Sequence, residues 1–143
     1  CSLGAYEVLR TNNKIKLTIL ASGSEVGLAI ETSHKLAKDK IYSKVISMPC
    51  QELFESQPKS HKEKIIGETK FKISIEAGSA DCWKKYVGKN GLIFSARRHG
   101  KKYSLAYLEI EINNGILLHM SGIKITAAKI AAVLKEMFDG RGD

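Results

Sequence analysis

Short apolar runs rich in β-branched residues alternate with helix-like segments along this chain, and this alternation constrains the fold most strongly. Residues 16–21 form a brief run of the kind that occupies a buried strand. After a small-residue turn at residues 22–25, apolar side chains recur at helical spacing from Val26 to Ala37. Such a strand–turn–helix unit is typical of sheets whose parallel strands are joined by helices.

The same alternation continues along the chain. Besides the first unit, the patterns predict strands over residues 6–9, 43–48, 71–76 and 92–94. They predict helices over residues 51–57, 59–67 and 79–87, and a closing helix over residues 126–138 that Thr126 caps. Strands that alternate with helices in this way predict a parallel or mostly parallel sheet covered on both faces.

Residues 103–120 have two interpretations. Asn114-Gly115 between two apolar runs is typical of a tight hairpin turn, so residues 103–112 and 116–120 read as two antiparallel strands. Leu105, Leu108 and Ile112 also lie at helical spacing. Both interpretations stay open on the sequence alone.

The length and composition indicate one folded domain. A chain of 143 residues with 43% hydrophobic and 27% charged residues is long enough to bury its own core, and we expect residues 1–143 to form a single domain. We expect no membrane association, because no apolar run approaches the ~20 residues of a spanning helix. The chain starts at Cys1 and shows no basic-then-apolar leader, so we expect a trimmed piece of a longer protein without a secretory signal.

The net charge of +8 attracts anions in general, so its distribution matters more than its sum. Only residues 97–102 form a dense basic cluster, and no recognisable DNA- or RNA-binding module surrounds it. We therefore expect a solvated loop there, with no nucleic-acid partner; binding through this cluster is the weaker alternative. The three cysteines, Cys1, Cys50 and Cys82, are odd in number and far apart, which favours a reducing, cytoplasmic setting.

The most suggestive local feature is the turn of Ser22, Gly23 and Ser24. Two hydroxyls and the amides of a helix amino end together make a site for phosphate or sulfate, and we predict possible anion binding by these three residues. The turn has neither three spaced glycines nor a Gly-Lys-Ser motif, and Glu25 opposes an anion. The competing interpretation is plain capping of the helix by the two hydroxyls.

Other reactive side chains form no catalytic or metal-binding pattern, so we predict no catalytic, cofactor-binding or metal-binding residue in this chain. The four histidines, at positions 34, 61, 99 and 119, lack metal-ligand spacing. We interpret Cys82 as a buried structural thiol beside Trp83, although a helix start favours a thiolate. Glu76 and Asp81 are the one candidate carboxylate pair, and a solvated strand end is the simpler interpretation of Glu76.

Four segments carry a resemblance to a known family, in matching order and spacing between about residues 4 and 94. They are residues 18–26, 45–49, 52–57 and 75–88. Together they resemble the carboxy-terminal domain of transketolase. Residues 95–121 depart from that pattern, and residues 122–138 resemble the closing helix of the domain only weakly.

The resemblance implies a three-layer α/β/α sandwich around a five-stranded mixed, mostly parallel sheet, with residues 6–9 as the antiparallel strand. It also implies a parent enzyme that transfers a two-carbon ketol unit between sugar phosphates in the pentose phosphate pathway. That enzyme is a homodimer that uses thiamine diphosphate and a divalent metal, magnesium or calcium.

In this family the ligands of the cofactor, metal and substrate lie in the two preceding domains, which are absent here. The resemblance therefore implies a structural, dimer-supporting domain that has no cofactor of its own and is inactive alone. Its partners are the preceding domains of the same transketolase. The alternative function is a stand-alone α/β module that binds a phosphorylated small-molecule regulator at the turn of residues 22–25.

Overall fold

Five strands form one mixed sheet in the computed structural model, which describes residues 2–67, 69–78, 81–95 and 120–140. In chain order the strands are β1 (Tyr6–Arg10), β2 (Leu17–Ala21), β3 (Ser43–Ser47), β4 (Phe71–Glu76) and β5 (Leu92–Ser95). Their order across the sheet is β1-β3-β2-β4-β5. The pairs β3–β2, β2–β4 and β4–β5 are parallel, and β1 pairs antiparallel with β3.

Helices cover both faces of this sheet. They are α1 (Glu25–Lys38), α2 (Gln51–Glu55), α3 (Lys59–Ile66), α4 (Lys84–Val87) and α5 (Met120–Gly140). A short 3₁₀ turn, Asp81–Trp83, leads directly into α4. Because helices pack on both sides, every residue of β2 and β3 is buried.

Two hydrophobic clusters lie on opposite sides of the sheet. One packs beneath α1 and α5 and includes Leu36 of α1 and Leu134 of α5, both fully buried. The other includes Phe54 of α2, Trp83 and Tyr86, which pack against one another as tilted or edge-on rings. Helices and clusters on both faces of the sheet give a three-layer α/β/α sandwich, as the resemblance implies.

The strand predictions are confirmed to within about one residue at each end. The antiparallel direction that the resemblance implies for the first strand is also confirmed, because Tyr6 pairs with Ser47 and Arg10 with Lys44. The hairpin predicted around Asn114-Gly115 and the basic cluster at residues 97–102 lie outside the described residues.

Two helix starts differ from the predictions. The closing helix begins at Met120, so Thr126 is not its cap: it lies buried within α5. The hairpin interpretation placed Met120 at the end of its second strand, but Met120 is helical. The helix predicted from residue 79 is first described at Asp81, and as a 3₁₀ turn. Cap residues are weak markers when a helix is long enough to be stabilised mainly by its packed face.

The two ends of the parallel strands define two edges of the domain. The carboxyl edge comprises residues 3–7, 22–25, 50–53 and 76–78, since β1 starts beside the end of β3, together with Ser95 at the end of β5, beyond which the described range stops. The amino edge comprises residues 10–16, 38–44, 69–72 and 88–91.

Candidate functional site

The predicted anion-binding turn lies where the connections of the sheet change direction. The chain leaves β2 through α1 towards β3 on one side, whereas β4 lies on the other side of β2. In open α/β sheets, ligands bind in the crevice outside the carboxyl ends of the strands at such a switch point. Ser22, Gly23 and Ser24 therefore occupy the position at which a ligand site is most expected.

Both serine hydroxyls of this turn donate to carboxylates. The Ser22 hydroxyl donates to Glu76 Oε2 at 2.7 Å, and the Gly78 amide donates to Oε1 of the same carboxylate at 2.9 Å. The Ser24 hydroxyl donates to Glu25 Oε1 at 2.8 Å. Neither hydroxyl caps α1, so the interpretation of plain side-chain capping is wrong.

Two carboxylates thus face the turn, and one of them, Glu25, is only 5% exposed. A bound phosphate would approach these negative charges and compete with them for the same hydroxyls. Gly23 has a positive φ of 54° and open space around it, so the backbone itself is accessible. Anion binding at Ser22, Gly23 and Ser24 stays a prediction, and the electrostatics of the turn weigh against it.

A second polar cluster, which sequence reasoning missed, joins α2, α3 and α4. The Glu55 carboxylate accepts from Lys62 Nζ at 3.1 Å and lies 3.1 Å from Lys85 Nζ. The Tyr86 hydroxyl faces the same carboxylate without reaching the geometry of a full hydrogen bond. Glu55 in α2 and the two residues of α4 are far apart in the sequence, so no pattern within one segment predicts that they meet.

Hydrogen bonding, nearby charge and burial shift the pKa values of Glu55 and Tyr86. The Tyr86 hydroxyl, followed by Lys85 and Lys62, lowers the pKa of Glu55 from 4.5 to about 2. Burial, followed by the Glu55 carboxylate, raises the pKa of Tyr86. Near neutral pH, Glu55 is therefore always a carboxylate and Tyr86 always a neutral phenol. Two groups that do not change protonation state suit a structural contact between helices and not proton transfer.

The remaining sequence candidates do not assemble into a site. Cys82 is exposed, so its interpretation as a buried thiol is wrong; Trp83 beside it is the buried residue. Glu76 is half-buried and bonded to Ser22, so it is not a solvated strand end, and Asp81 instead pairs with Lys84.

Of the two histidines in the described part of the chain, His34 is exposed and His61 packs edge-on against Phe54. No group of three or more metal-ligating side chains forms within the described ranges. None of the helices that the structure describes is long and apolar enough to cross a membrane.

Comparison with known proteins matches the chain to part of a larger enzyme. The family model of the transketolase-like TK C-terminal domain matches residues 4–111. The departure expected from residue 95 is therefore wrong as far as residue 111. Transketolase of Aquifex aeolicus (strain VF5) is 38% identical over 99 residues, which are 68% of this chain and 14% of that protein. Transketolase of Bacillus subtilis (strain 168) is 41% identical over 99 residues, which are 68% of this chain and 15% of that protein.

Solved structures show the same similarity. Transketolase from Leishmania mexicana superposes with a TM-score of 0.68 at 27% sequence identity, covering 99% of this chain and 19% of that chain. Transketolase from Campylobacter jejuni subsp. jejuni NCTC 11168 gives a TM-score of 0.60 at 33% identity, covering 68% of this chain and 14% of that chain. The chain thus spans less than a fifth of the length of each of these four relatives.

Proposed function

Since the chain belongs to the transketolase family through its C-terminal domain, we propose that residues 1–143 act as one structural domain that supports the subunit and the homodimer of a transketolase. The parent enzyme transfers a two-carbon ketol unit between sugar phosphates in the pentose phosphate pathway. The match over residues 4–111 supports this proposal most directly.

The cofactor of the parent enzyme supplies the carbanion chemistry, and the residues described here do not fit it. Thiamine diphosphate needs a divalent metal, magnesium or calcium, to neutralise its phosphates. The described residues bring no three metal-ligating side chains together, and the hydroxyls of the turn at Ser22 and Ser24 are bonded to carboxylates. We therefore place the cofactor, the metal and the catalytic residues in the preceding domains, and propose that this chain alone is inactive.

The stand-alone regulator-binding module is the weaker alternative. The matching family model describes one domain of a larger enzyme. The turn at residues 22–25 is also surrounded by carboxylates, which oppose a phosphorylated ligand. No observation favours the module over the enzyme domain.

The proposal extends to a cytoplasmic location for the parent enzyme. Cys50 is partly buried and Cys82 is exposed. An exposed thiol persists in a reducing compartment, where disulfides are rare.

Isothermal titration calorimetry tests the proposal. Thiamine diphosphate with magnesium, and separately with calcium, is titrated into the chain at micromolar concentration. We expect no binding to this chain, and binding to the full-length Bacillus subtilis transketolase as the control. Measurable cofactor binding by the chain alone would contradict the proposal, as would an upstream coding sequence that lacks a thiamine-diphosphate-binding region.

A further inference from the structure

Positive charge is concentrated at the amino edge of the domain. The nine basic residues there come from four separate connections, which the order of the strands brings together at one end of the sheet. They are Arg10 and the lysines Lys14, Lys16, Lys38, Lys40, Lys44, Lys70, Lys72 and Lys89. Residue 68, which lies outside the described residues, adds one glutamate to the sequence beside this edge. Charge of one sign gathered in this way attracts anions.

The described acids near this edge are already paired. Asp39, the one acid that the described edge carries, accepts from Lys135 Nζ of α5 at 2.6 Å. Both oxygens of Glu7 accept from the Arg10 guanidinium, at 2.8 and 2.9 Å. Five exposed lysines, by contrast, have no ion pair in the described part of the chain; they are Lys14, Lys38, Lys40, Lys70 and Lys89. Their charge therefore stays available for an anion.

Two further lysines lie at the centre of the edge, on one face of the sheet. Thr18 of β2 pairs with Lys44 of β3 on one side and with Lys72 of β4 on the other, so their side chains share a face. Lys44 is fully buried, and the half-buried Lys72 donates from Nζ to the Thr69 carbonyl at 2.7 Å. Since Lys72 has no carboxylate partner among the described residues, its charge adds to that of the exposed lysines.

The loop after α1 has a lysine at a position where glycine is usual. The Lys40 amide donates to the Ala37 carbonyl, and the Ile41 amide donates to the Leu36 carbonyl. These are the two hydrogen bonds of a Schellman motif, and Lys40 has the left-handed φ of 60° that the motif requires. Glycine is favoured there because a Cβ is strained in this conformation. Lys40 thus lowers stability and adds a cation to the edge, a conflict typical of functional positions.

The residue types favour a chain of phosphates over an acidic protein or a nucleic acid. Lysine is a point charge that binds phosphate without a fixed orientation, whereas arginine matches carboxylates through two parallel hydrogen bonds. The one arginine of the described edge, Arg10, is already bound to Glu7 in that way. Of the aromatic residues at the edge, Phe71 is buried and Tyr42 half-buried, so neither offers an exposed platform on which a nucleobase could stack.

We propose that the amino edge binds inorganic polyphosphate, with the phosphate chain lying across the starts of the parallel strands and contacting lysines of the four connections. Five strands about 4.8 Å apart span roughly 19 Å, so one phosphate cannot reach the lysines at both ends of the edge, whereas a chain can. This inference goes beyond the proposed function and does not depend on it.

Fluorescence anisotropy tests the binding. A short polyphosphate labelled at one end is titrated with the 143-residue chain. We expect the affinity to fall on the order of 100-fold as salt rises from about 50 to about 200 mM, because contact with roughly six lysines releases counterions. Absence of binding at the lower salt concentration would overturn the proposal. So would tighter binding of polyuridine RNA or polyglutamate of the same total charge.

Charge-matched double variants locate the site. Lys40→Gly with Lys70→Gln removes two positive charges from the amino edge and should weaken polyphosphate binding roughly tenfold. Lys124→Gln with Lys129→Gln removes the same charge from exposed positions in the first half of α5, and should weaken binding by about twofold or less. Equal losses in the two double variants would show that binding follows net charge alone, and the site would be rejected.

The basic cluster at residues 97–102, which lies outside the described residues, is tested in the same assay. Lys101→Gln with Lys102→Gln should leave most of the affinity. A greater loss there than in the double variant of the amino edge would assign the binding to that cluster, and the proposal would be wrong.

Lys40→Gly alone separates binding from folding. Because it relieves the left-handed strain, it should raise the melting temperature by a few degrees while it weakens polyphosphate binding. A weaker complex from a more stable protein cannot result from unfolding. Unchanged affinity in Lys40→Gly at low salt would contradict a role for this lysine and for the edge that it belongs to.

Discussion

The two edges of the sheet differ in what their side chains already contact. At the carboxyl edge, the Ser22 hydroxyl and the Gly78 amide satisfy the Glu76 carboxylate, and apolar side chains such as Leu53 are left exposed. At the amino edge, basic residues predominate, and Lys44 is fully buried among them. Polar contacts within the protein thus dominate the described carboxyl edge, whereas positive charge dominates the described amino edge.

Many of the described basic residues lie at the amino edge. The sum of +8 alone suggests an anionic partner such as nucleic acid. Much of the excess lies at the amino edge, where the basic residues outnumber the acidic ones by nine to one. The basic cluster at residues 97–102 lies outside the described residues, so this distribution applies to the described part of the chain.

The close backbone contact at the carboxyl edge gives the largest expected effect. Gly4 has a φ of 81°, and a Cβ there would meet the backbone of α2, so Gly4→Ala should cost about 3 kcal/mol of unfolding free energy. Gly23→Ala is the matched control at the same edge, because φ is 54° but the space is open; it should cost only about 1 kcal/mol. Urea unfolding measures both, and equal costs would show that residues 3–7 do not rest on α2.

The Glu55 cluster, which anchors α2 to α3 and α4, gives a smaller and pH-dependent effect. The pKa of Glu55 is lowered from 4.5 to about 2, so its carboxylate stabilises the folded chain above about pH 4.5, and that stability is lost as the pH falls towards 2. Its side chain is 37% exposed, so solvent screening limits the contribution to about 1 kcal/mol or less.

Glu55→Gln removes this contribution. Unfolding free energies at about pH 6 and about pH 3 should differ less in Glu55→Gln than in the unmodified chain. Glu63→Gln is the control, because Glu63 is 65% exposed and pairs with Lys59 at 3.7 Å. If both substitutions change the pH dependence equally, Glu55 is not the group responsible.

The amino edge gives the smallest expected effect. Burial, followed by the positive charge of Lys44, lowers the pKa of Lys72. The folded chain therefore disfavours protonated Lys72 at neutral pH, and this penalty is relieved only as the pH rises above the lowered pKa. Lys72→Gln, which keeps an N–H donor near the Thr69 carbonyl, should raise the unfolding free energy by about 0.5 kcal/mol at low salt.

Salt and a neighbouring lysine provide the controls for Lys72. Added salt should reduce the difference between Lys72→Gln and the unmodified chain, since it screens the repulsion from Lys44. Lys70→Gln should have less effect, because Lys70 is exposed. A loss of stability in Lys72→Gln at every salt concentration would show that its hydrogen bond outweighs the repulsion.

Periodicity predicted the individual elements well because it depends on neighbouring residues. The buried run of residues 17–21 and the clean alternation of residues 71–76 give β2 and β4 directly. The start of α5 was missed, because Thr126 looks like a cap while the helix continues upstream to Met120. A hydroxyl residue within a helix and one at its start have the same local signature.

The candidate site was predicted only in part, because some of its contacts join residues that are distant in the sequence. The turn of Ser22, Gly23 and Ser24 follows a strand and precedes a helix, and both features are local. The carboxylate that bonds Ser22 comes from Glu76, 54 residues away. No pattern within one segment indicates that pairing, because it depends on β4 lying beside β2.

The sequence by itself determined the strands, most of the helices and the resemblance to a transketolase C-terminal domain. The tertiary structure decided that Ser22 meets Glu76, that Glu55 joins three helices, and that nine of the described basic residues gather at the amino edge. The physical reason is the range of the interactions. Backbone periodicity acts within a few residues, whereas the order of parallel strands brings together chain segments that are far apart in sequence.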